Sequence, residues 1–508
     1  MRKNPVGYEF LKDSLETGAF AREKPAHVSS VTRIVELPDF LAVPSAVAPP
    51  GNDPLTHLQF ALKHEGLDLQ ATMLALKHMD GRQVGQAFLD SPSSAYLRQI
   101  AYLWELANQK ELSDLPAASG PYSPLFDAQK FVTGKARRNA RWRVDFNGLG
   151  TTDYCPTVRR TPELQSLLDG NILEQAKDFI SNLDKDVLDR AVKWAYLSET
   201  QGSFAIENET PTSGKSEAFA ALLARASEPE VITEEYLVAL QNLTVTNPMD
   251  KAVEFRNKQN WLRDSLPGAL GVTYLPPPPD LMMSVMDGVM ALANGADSGV
   301  DHLVRGAIAS FGFVFAHPFM DGNGRLSRFL FHKTVCSSGL LPDGLVLPVS
   351  IAMKRNERQY LQALQTFSKQ ARSRWQVTAI DDSQIDAQFT GDPSIYRFWD
   401  ATACVTFALQ MAKESLDLDL RNQSAFLRRF DKAYKAVNDE LDMNNNDLTF
   451  AVRFCLAADD GALSSNKRKK LIAKGHPDAL IRRIEKIVQA TLSADASDVD
   501  GKYSVSST

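Results

Sequence analysis

The stretch "HPFMDGNGRLSR" occupies residues 317–328, and its reading decides the fold around it. It holds a histidine, a carboxylate, a Gly–Asn–Gly turn and two arginines, too polar a set for a buried segment. His317 precedes Pro318, and a residue before proline disfavours helical geometry, so a helix should end here. Upstream, Leu303, Ala307, Phe311 and Phe315 recur four apart, with Val304, Ile308 and Val314 beside them. That spacing predicts one apolar helix face leading to the histidine. Downstream, Leu326, Phe329, Leu330 and Lys333–Thr334 predict a second helix starting just after Asn323. The stretch therefore reads as the turn between two helices.

Its residue types belong to phosphate chemistry. Glycines let backbone N–H groups approach an anion, and a helix N-terminus adds partial positive charge. Asp321 is a hard oxygen ligand suited to Mg²⁺ bridging phosphates. Arg325 and Arg328, in the first turns of the second helix, can add charge-assisted hydrogen bonds to phosphate oxygens. His317 can take a proton from an attacking hydroxyl. Phe319 is expected to point into the core. Taken singly, a histidine before proline and a DG or NG pair are ordinary structural signals. Together they describe phosphoryl or nucleotidyl transfer.

The stretch matches HxFx[DE]GNGRxxR at every fixed position, and by it the chain resembles the Fic-domain family. Members of that family mostly transfer AMP from ATP to a Ser, Thr or Tyr hydroxyl of a target protein. The resemblance implies His317 as general base and Asp321 as the Mg²⁺ ligand. Gly322, Asn323 and Gly324 would form the anion hole, and Arg325 and Arg328 would hold the β- and γ-phosphates. A kinase-like branch carries lysine for the second glycine of the turn; Gly324 favours nucleotidyl transfer.

Flanking segments extend the resemblance to roughly residues 165–370. "FRNKQNWLRDSLPGALGVTYLPPPPDL" (255–281) resembles the segment carrying the family's β-hairpin flap, which registers the target backbone, with its tip near Arg263–Gly268. Alone, the prolines 276–279 would read as a stiff linker. "VLPVSIAMKRNERQYLQAL" (346–364) resembles the helix closing the nucleotide pocket, with Asn356 and Tyr360 near the adenine. Tyr360 reads equally well as core packing. "SFAIEN", Ser203 to Asn208, fits the family's inhibitory motif [ST]xxxE[GN]. Its place, after a helical stretch and before the catalytic motif, resembles the class with an inhibitory helix N-terminal to the core, here near 198–208. Glu207 would pair with Arg328 and so occupy the γ-phosphate's partner. The plainer alternative is a glutamate on a solvated helix face.

The 508 residues are 44% hydrophobic and 23% charged, ordinary for a globular chain with a sizeable core. A formal charge of −6 gives no global attraction to nucleic acid or anionic membrane. The four cysteines are too far apart for a zinc knuckle or redox pair, which suits a reducing cytoplasm. There is no continuous apolar run of membrane-spanning length, and the N-terminus does not read as a signal peptide.

The expected class is mainly α: a Fic-type helical core with a small β-hairpin flap, and helical N- and C-terminal regions. The expected division is an accessory region over 1–150, the core with its inhibitory helix over 151–375, and a C-terminal helical region over 376–508. The basic run "KARRNARWRV" (135–144) is more readily a solvated surface or an intramolecular contact than a nucleic-acid site. The helices around "SSNKRKK" are open to a helix-turn-helix-like reading, and the segment from Ser493 reads as a disordered tail. The leading expectation is an autoinhibited, cytoplasmic protein adenylyltransferase acting on ATP, with Mg²⁺, and on an unidentified protein. Relatives often dimerise, which leaves a homodimer open. The alternatives are removal of AMP, with Glu207 positioning a water, and a regulatory or DNA-binding protein using the core to sense nucleotide.

Overall fold

Polar caps and prolines set the helix starts. Asp53, Asp68, Asp80 and Ser94 each accept a backbone N–H at the head of a helix, satisfying donors that a helix leaves open. In this computed structural model, which describes residues 4–503 apart from 246, 267, 296, 297, 342, 343, 382, 383 and 459, helices dominate. The N-terminal part holds α1 (Gly7–Ser14), β1 (Ala26–Ser29), β2 (Val35–Glu36), β3 (Leu41–Pro44), α2 (Pro54–Phe60), α3 (Leu69–Lys77), α4 (Gly81–Asp90), α5 (Ala95–Asn108), β4 (Ser123–Pro124), β5 (Arg137–Asn139) and β6 (Val144–Phe146). Its strands form two small sheets, ordered β1-β3-β2 and β4-β6-β5.

There follow α6 (Pro162–Asp169), α7 (Ile172–Ser181), α8 (Lys185–Ile206), α9 (Ser213–Ala224) and α10 (Glu234–Thr244). The hairpin β7 (Leu262–Arg263) and β8 (Val272–Tyr274) comes next, then α11 (Pro279–Asn294), α12 (His302–Ala316), α13 (Asn323–Cys336), α14 (Val349–Arg355) and α15 (Glu357–Arg372). The chain continues through β9 (Trp375–Ala379), β10 (Ile385–Phe389), α16 (Ser394–Arg397), α17 (Thr402–Glu414), α18 (Arg421–Asn438), α19 (Asn445–Leu456), α20 (Ser465–Ala473) and α21 (Asp478–Tyr503).

The expected pair of helices frames the motif. The stripe Leu303, Ala307, Phe311 and Phe315 is buried along α12, and Asp301 caps that helix through the N–H groups of Leu303 and Val304. Gly306 brings α12 and α13 close: a β-carbon there would lie 3.2 Å from the Phe331 carbonyl oxygen. The hairpin is antiparallel, with Leu262 opposite Tyr274 and Arg263 opposite Val272. Residues 264–266 and 268–271 lie between its strands, where the tip was expected, and residue 267 lies outside the described residues.

Apolar burial separates three main clusters. One joins Tyr8 to Cys155, with Phe398 added. A second runs from Val132 to Leu420 and contains α12 and α13. A third, Ala433 to Val488, belongs to α18–α21. The burial pattern does not break at 376, since Ile395 through Leu420 share the cluster of the motif helices.

Two local expectations differ from the structure, and a third is made specific by it. The segment after Arg374 was expected to be helical, but β9 and β10 pair antiparallel with Trp375 opposite Phe389. Trp375 is buried with Val272 and Leu275, so tertiary packing decides that segment. The basic run forms β5 and leads into β6. Arg141 pairs with Glu105 and Glu111, Arg138 with Asp145, and Arg137 lies over the Phe146 ring. Trp142 is buried and donates to Glu105 at 2.7 Å, while Lys135, Arg137 and Arg138 are exposed, so the run joins intramolecular contacts to a solvated surface, as expected. Finally, α21 continues to Tyr503, into the segment expected to lack structure; no proline interrupts 493–503, and residues 504–508 lie outside the described set. Among the described residues no helix is long and apolar enough to cross a membrane.

Candidate active site

His317 sits at the C-cap of α12 in the left-handed region, φ 49°. That conformation turns the chain out of the helix and into the motif. Its Nδ1 lies 3.3 Å from the Val314 carbonyl oxygen. A carbonyl only accepts, so Nδ1 carries the proton and Nε2 is the free acceptor. Burial pushes the imidazole down to about 4; the Val314 carbonyl and Asp321 act the other way, and Arg256 reinforces burial. The ring is thus neutral near pH 7, the state a base needs.

The turn is braced by its own asparagine. The Asn323 side chain accepts from the Phe319 N–H at 3.0 Å and donates to the Phe319 carbonyl at 2.7 Å. Phe319 is buried against Phe255 and Phe313, as expected. Gly322 has φ 88° and forms the N-cap of α13. The Asn323, Gly324 and Arg325 N–H groups precede the first intrahelical bond, Leu326 N–H to Gly322 O at 3.1 Å. They form the positive end of the helix. The Asn323 amide is spent on the loop, so its backbone is what it offers an anion.

Asp321 is exposed, holds the Gly322 N–H at 2.6 Å and lies 3.4 Å from Arg325. As an exposed carboxylate it can meet a hard cation. Arg325 is buried, donates to the Thr244 carbonyl at 3.2 Å and lies over the Phe204 ring. Arg328 is buried as well. Its Nε donates to Ser203 Oγ at 2.6 Å, and its Nη2 to the Ser203 carbonyl at 3.0 Å and to Glu207 Oε1 at 2.5 Å. Glu207 caps the C-terminus of α8, and its other oxygen lies 3.4 Å from Arg325. A β-carbon on Gly324 would lie 2.2 Å from Glu207 Oε1. The bare glycine is therefore what lets the carboxylate rest on the helix N-terminus.

Residues 231–334 match the Fic/DOC family model, motif included. The chain carries a Fic domain. A curated protein adenylyltransferase, fic-1 of Caenorhabditis elegans, is 34% identical over 77 residues, and its Caenorhabditis briggsae counterpart 35% over 77. These alignments span 15% of this chain and 15% of each relative. Among solved structures, a Fic family protein from Desulfovibrio desulfuricans G20 aligns with a TM-score of 0.40 and 19% identity, covering 58% of this chain and 85% of that one.

Several supports of the Fic domain escaped the sequence reading. Arg256 is buried and donates to the carbonyls of His317 (2.9 Å), Lys258 (3.0 Å), Pro277 (2.6 Å) and Ala316 (3.3 Å). Asn260 donates to the Phe319 carbonyl at 3.0 Å. Gln241 of α10 donates to the Asp321 carbonyl at 3.2 Å. Glu199 of α8 is fully buried, accepts from the Ser350 N–H at 2.8 Å and lies 2.9 Å from His332 Nε2. Burial pushes that carboxyl up, but His332 and Ser350 outweigh it and hold it below its usual range.

Of the residues expected near an adenine, Tyr360 packs between Phe311 and Phe407. A small apolar cavity lined by Phe311, Phe407, Met411 and Arg328 lies alongside. Asn356 joins α14 to α15 and donates to Glu414 at 2.9 Å, so its amide braces α17. Asn208 is left-handed, φ 57°, and meets Lys354 at 3.4 Å.

Proposed function

We propose that the chain is a protein adenylyltransferase restrained by its own Glu207. The observation that carries this reading is the seat of Glu207. It bonds Arg328, approaches Arg325 and rests on Gly324, the groups a nucleotide's terminal phosphates would need.

In the proposed reaction an acceptor hydroxyl on the target attacks the α-phosphorus of ATP. The oxygen–phosphorus bond to the target forms as the bond to pyrophosphate breaks. His317 Nε2 takes the hydroxyl proton, which its neutral state permits. The N-terminus of α13 and the two arginines hold the phosphate oxygens. Asp321 would hold Mg²⁺, which when bound neutralises charge on the phosphates. Among the described residues no three His, Cys, Asp or Glu side chains cluster as a metal site. That fits an ion held by one carboxylate, phosphates and water. The hairpin β7–β8 would register the target chain beside the histidine.

In this reading Glu207 excludes the γ-phosphate, since two anions cannot share Arg328 and one helix end. ATP labelled at the α-phosphate tests it with wild type, Glu207→Gly and His317→Ala. Label on protein should rise in Glu207→Gly and vanish in the Glu207→Gly/His317→Ala pair. An unchanged level in Glu207→Gly removes the inhibitory assignment.

A further inference from the structure

Helices α8 and α13 meet through side chains spaced four apart on both. Glu199 faces His332, Ser203 faces Arg328, and Glu207 lies over Gly324. One number rises as the other falls, so the helices run antiparallel and each rung is about one turn from the next.

The rungs are not equivalent. Glu199 and His332 are 0% and 2% exposed, whereas the Glu207 side chain is 25% exposed. The inner rung also reaches α14, because Ser350 donates both its N–H and its hydroxyl to Glu199. One turn on, a β-carbon at Gly202 would lie 2.5 Å from the Ile351 nitrogen, so α8 rests on backbone there. The outer end is a helix terminus. The helix stops at Ile206, and the chain turns at Asn208.

We propose that Glu199, His332 and Ser350 are positioning residues for the inhibitory glutamate. They fix the register of α8 on α13, so that Glu207 is released by unwinding of the last turn and not by withdrawal of the helix. This rests on the reading of Glu207 as inhibitory. Sliding α8 by one turn would set Ser203 beside His332 and leave Glu199 buried without its partners, which is heavily disfavoured. Helix ends fray at far lower cost. Breaking the inner rung should therefore imitate loss of Glu207, although Glu199 lies two turns from Glu207.

Hydrogen exchange and α-label transfer together test this on the full chain. In the wild type, amides 206–209 should exchange at least about 100-fold faster than 198–203. In Glu199→Gln, exchange at 199–207 and label on protein should each rise at least about tenfold. Adding Glu207→Gly should then give no more label than Glu207→Gly alone. Ser350→Ala keeps both ionisable partners and should give a smaller rise in both readouts, which serves if Glu199→Gln does not fold. Wild-type exchange and label in Ser350→Ala and a folded Glu199→Gln overturn the proposal, as does label that falls in step with lost structure. If Glu207→Gly itself gives no rise, the inhibitory reading fails separately, and wild-type exchange at 199–207 in the anchor variants would still refute the anchor.

Discussion

Replacing Arg256 should slacken the turn that holds His317, although Arg256 need not touch a substrate. Its guanidinium donates to four carbonyl oxygens, at Ala316, His317, Pro277 and Lys258. Burial pulls it down to about 10 from the usual 12.5. That depression corresponds to a penalty on the charged form of about 3 kcal/mol. Each hydrogen bond to the charged group contributes about 1.5–3 kcal/mol, although such values do not add fully. In Arg256→Met the Pro277 and Lys258 carbonyls lose this donor, and His317 keeps a long contact to Asn260 at 3.4 Å. Each buried carbonyl left without a donor costs about 1–3 kcal/mol. A displacement of about 1 Å at a reacting group can cost roughly 100-fold in rate. The assay is initial-rate α-label transfer in the Glu207→Gly background, where inhibition does not mask the effect. The expected order is Arg256, then Lys, then Met, with Met down at least about 100-fold. Lysine should fall between, because its point charge cannot span the same fork of acceptors. An Arg256→Met rate within about threefold of its parent would refute the reasoning.

Three further outcomes follow from the same geometry. In the Glu207→Gly background, kcat/KM should hold steady as pH falls from 7 and decline only near 4, because burial keeps His317 neutral well below the usual 6.5; an acid limb centred at 6.5 would contradict this. Asp321→Asn should lower label transfer at least about 100-fold at limiting Mg²⁺ and raise the Mg²⁺ needed for half-maximal rate; an unchanged Mg²⁺ dependence would remove Asp321 as the ligand. Ser203→Ala deletes a hydroxyl accepting from Arg328 at 2.6 Å and should raise basal label several-fold, in line with a loss of about 1–2 kcal/mol in the helix contact; a fall in label in an otherwise folded variant would count against it.

The motif and its two helices were legible because their signals are local. The stripe on α12, the His317–Pro318 stop and the glycine turn each act within a few residues. "SFAIEN" was legible through its order in the chain, and Glu207 meets Arg328 across 121 positions. What the sequence hid was cross-chain. An arginine that seeks carbonyls, as Arg256 does, has no pattern of its own, and Glu199 and His332 carry no spacing that announces a pair. The hairpin β9–β10 was read as helix because its strands take their stability from Trp375 packed against Val272 and Leu275. The basic run was legible as a solvated surface or an intramolecular contact, but its partners were not: Trp142 is buried, and its arginines serve local carboxylates and rings. The resemblance set Asn356 near the adenine, but its commitment to Glu414 depends on α17, far along the chain.

The proposed transfer is of AMP. Glu207→Gly protein, given ATP carrying distinct labels on the α- and γ-phosphates, tests it in one reaction. Retention of the α-label on protein, with the γ-label leaving as pyrophosphate, is the predicted result. Retention of the γ-label on protein, with ADP released, would contradict it.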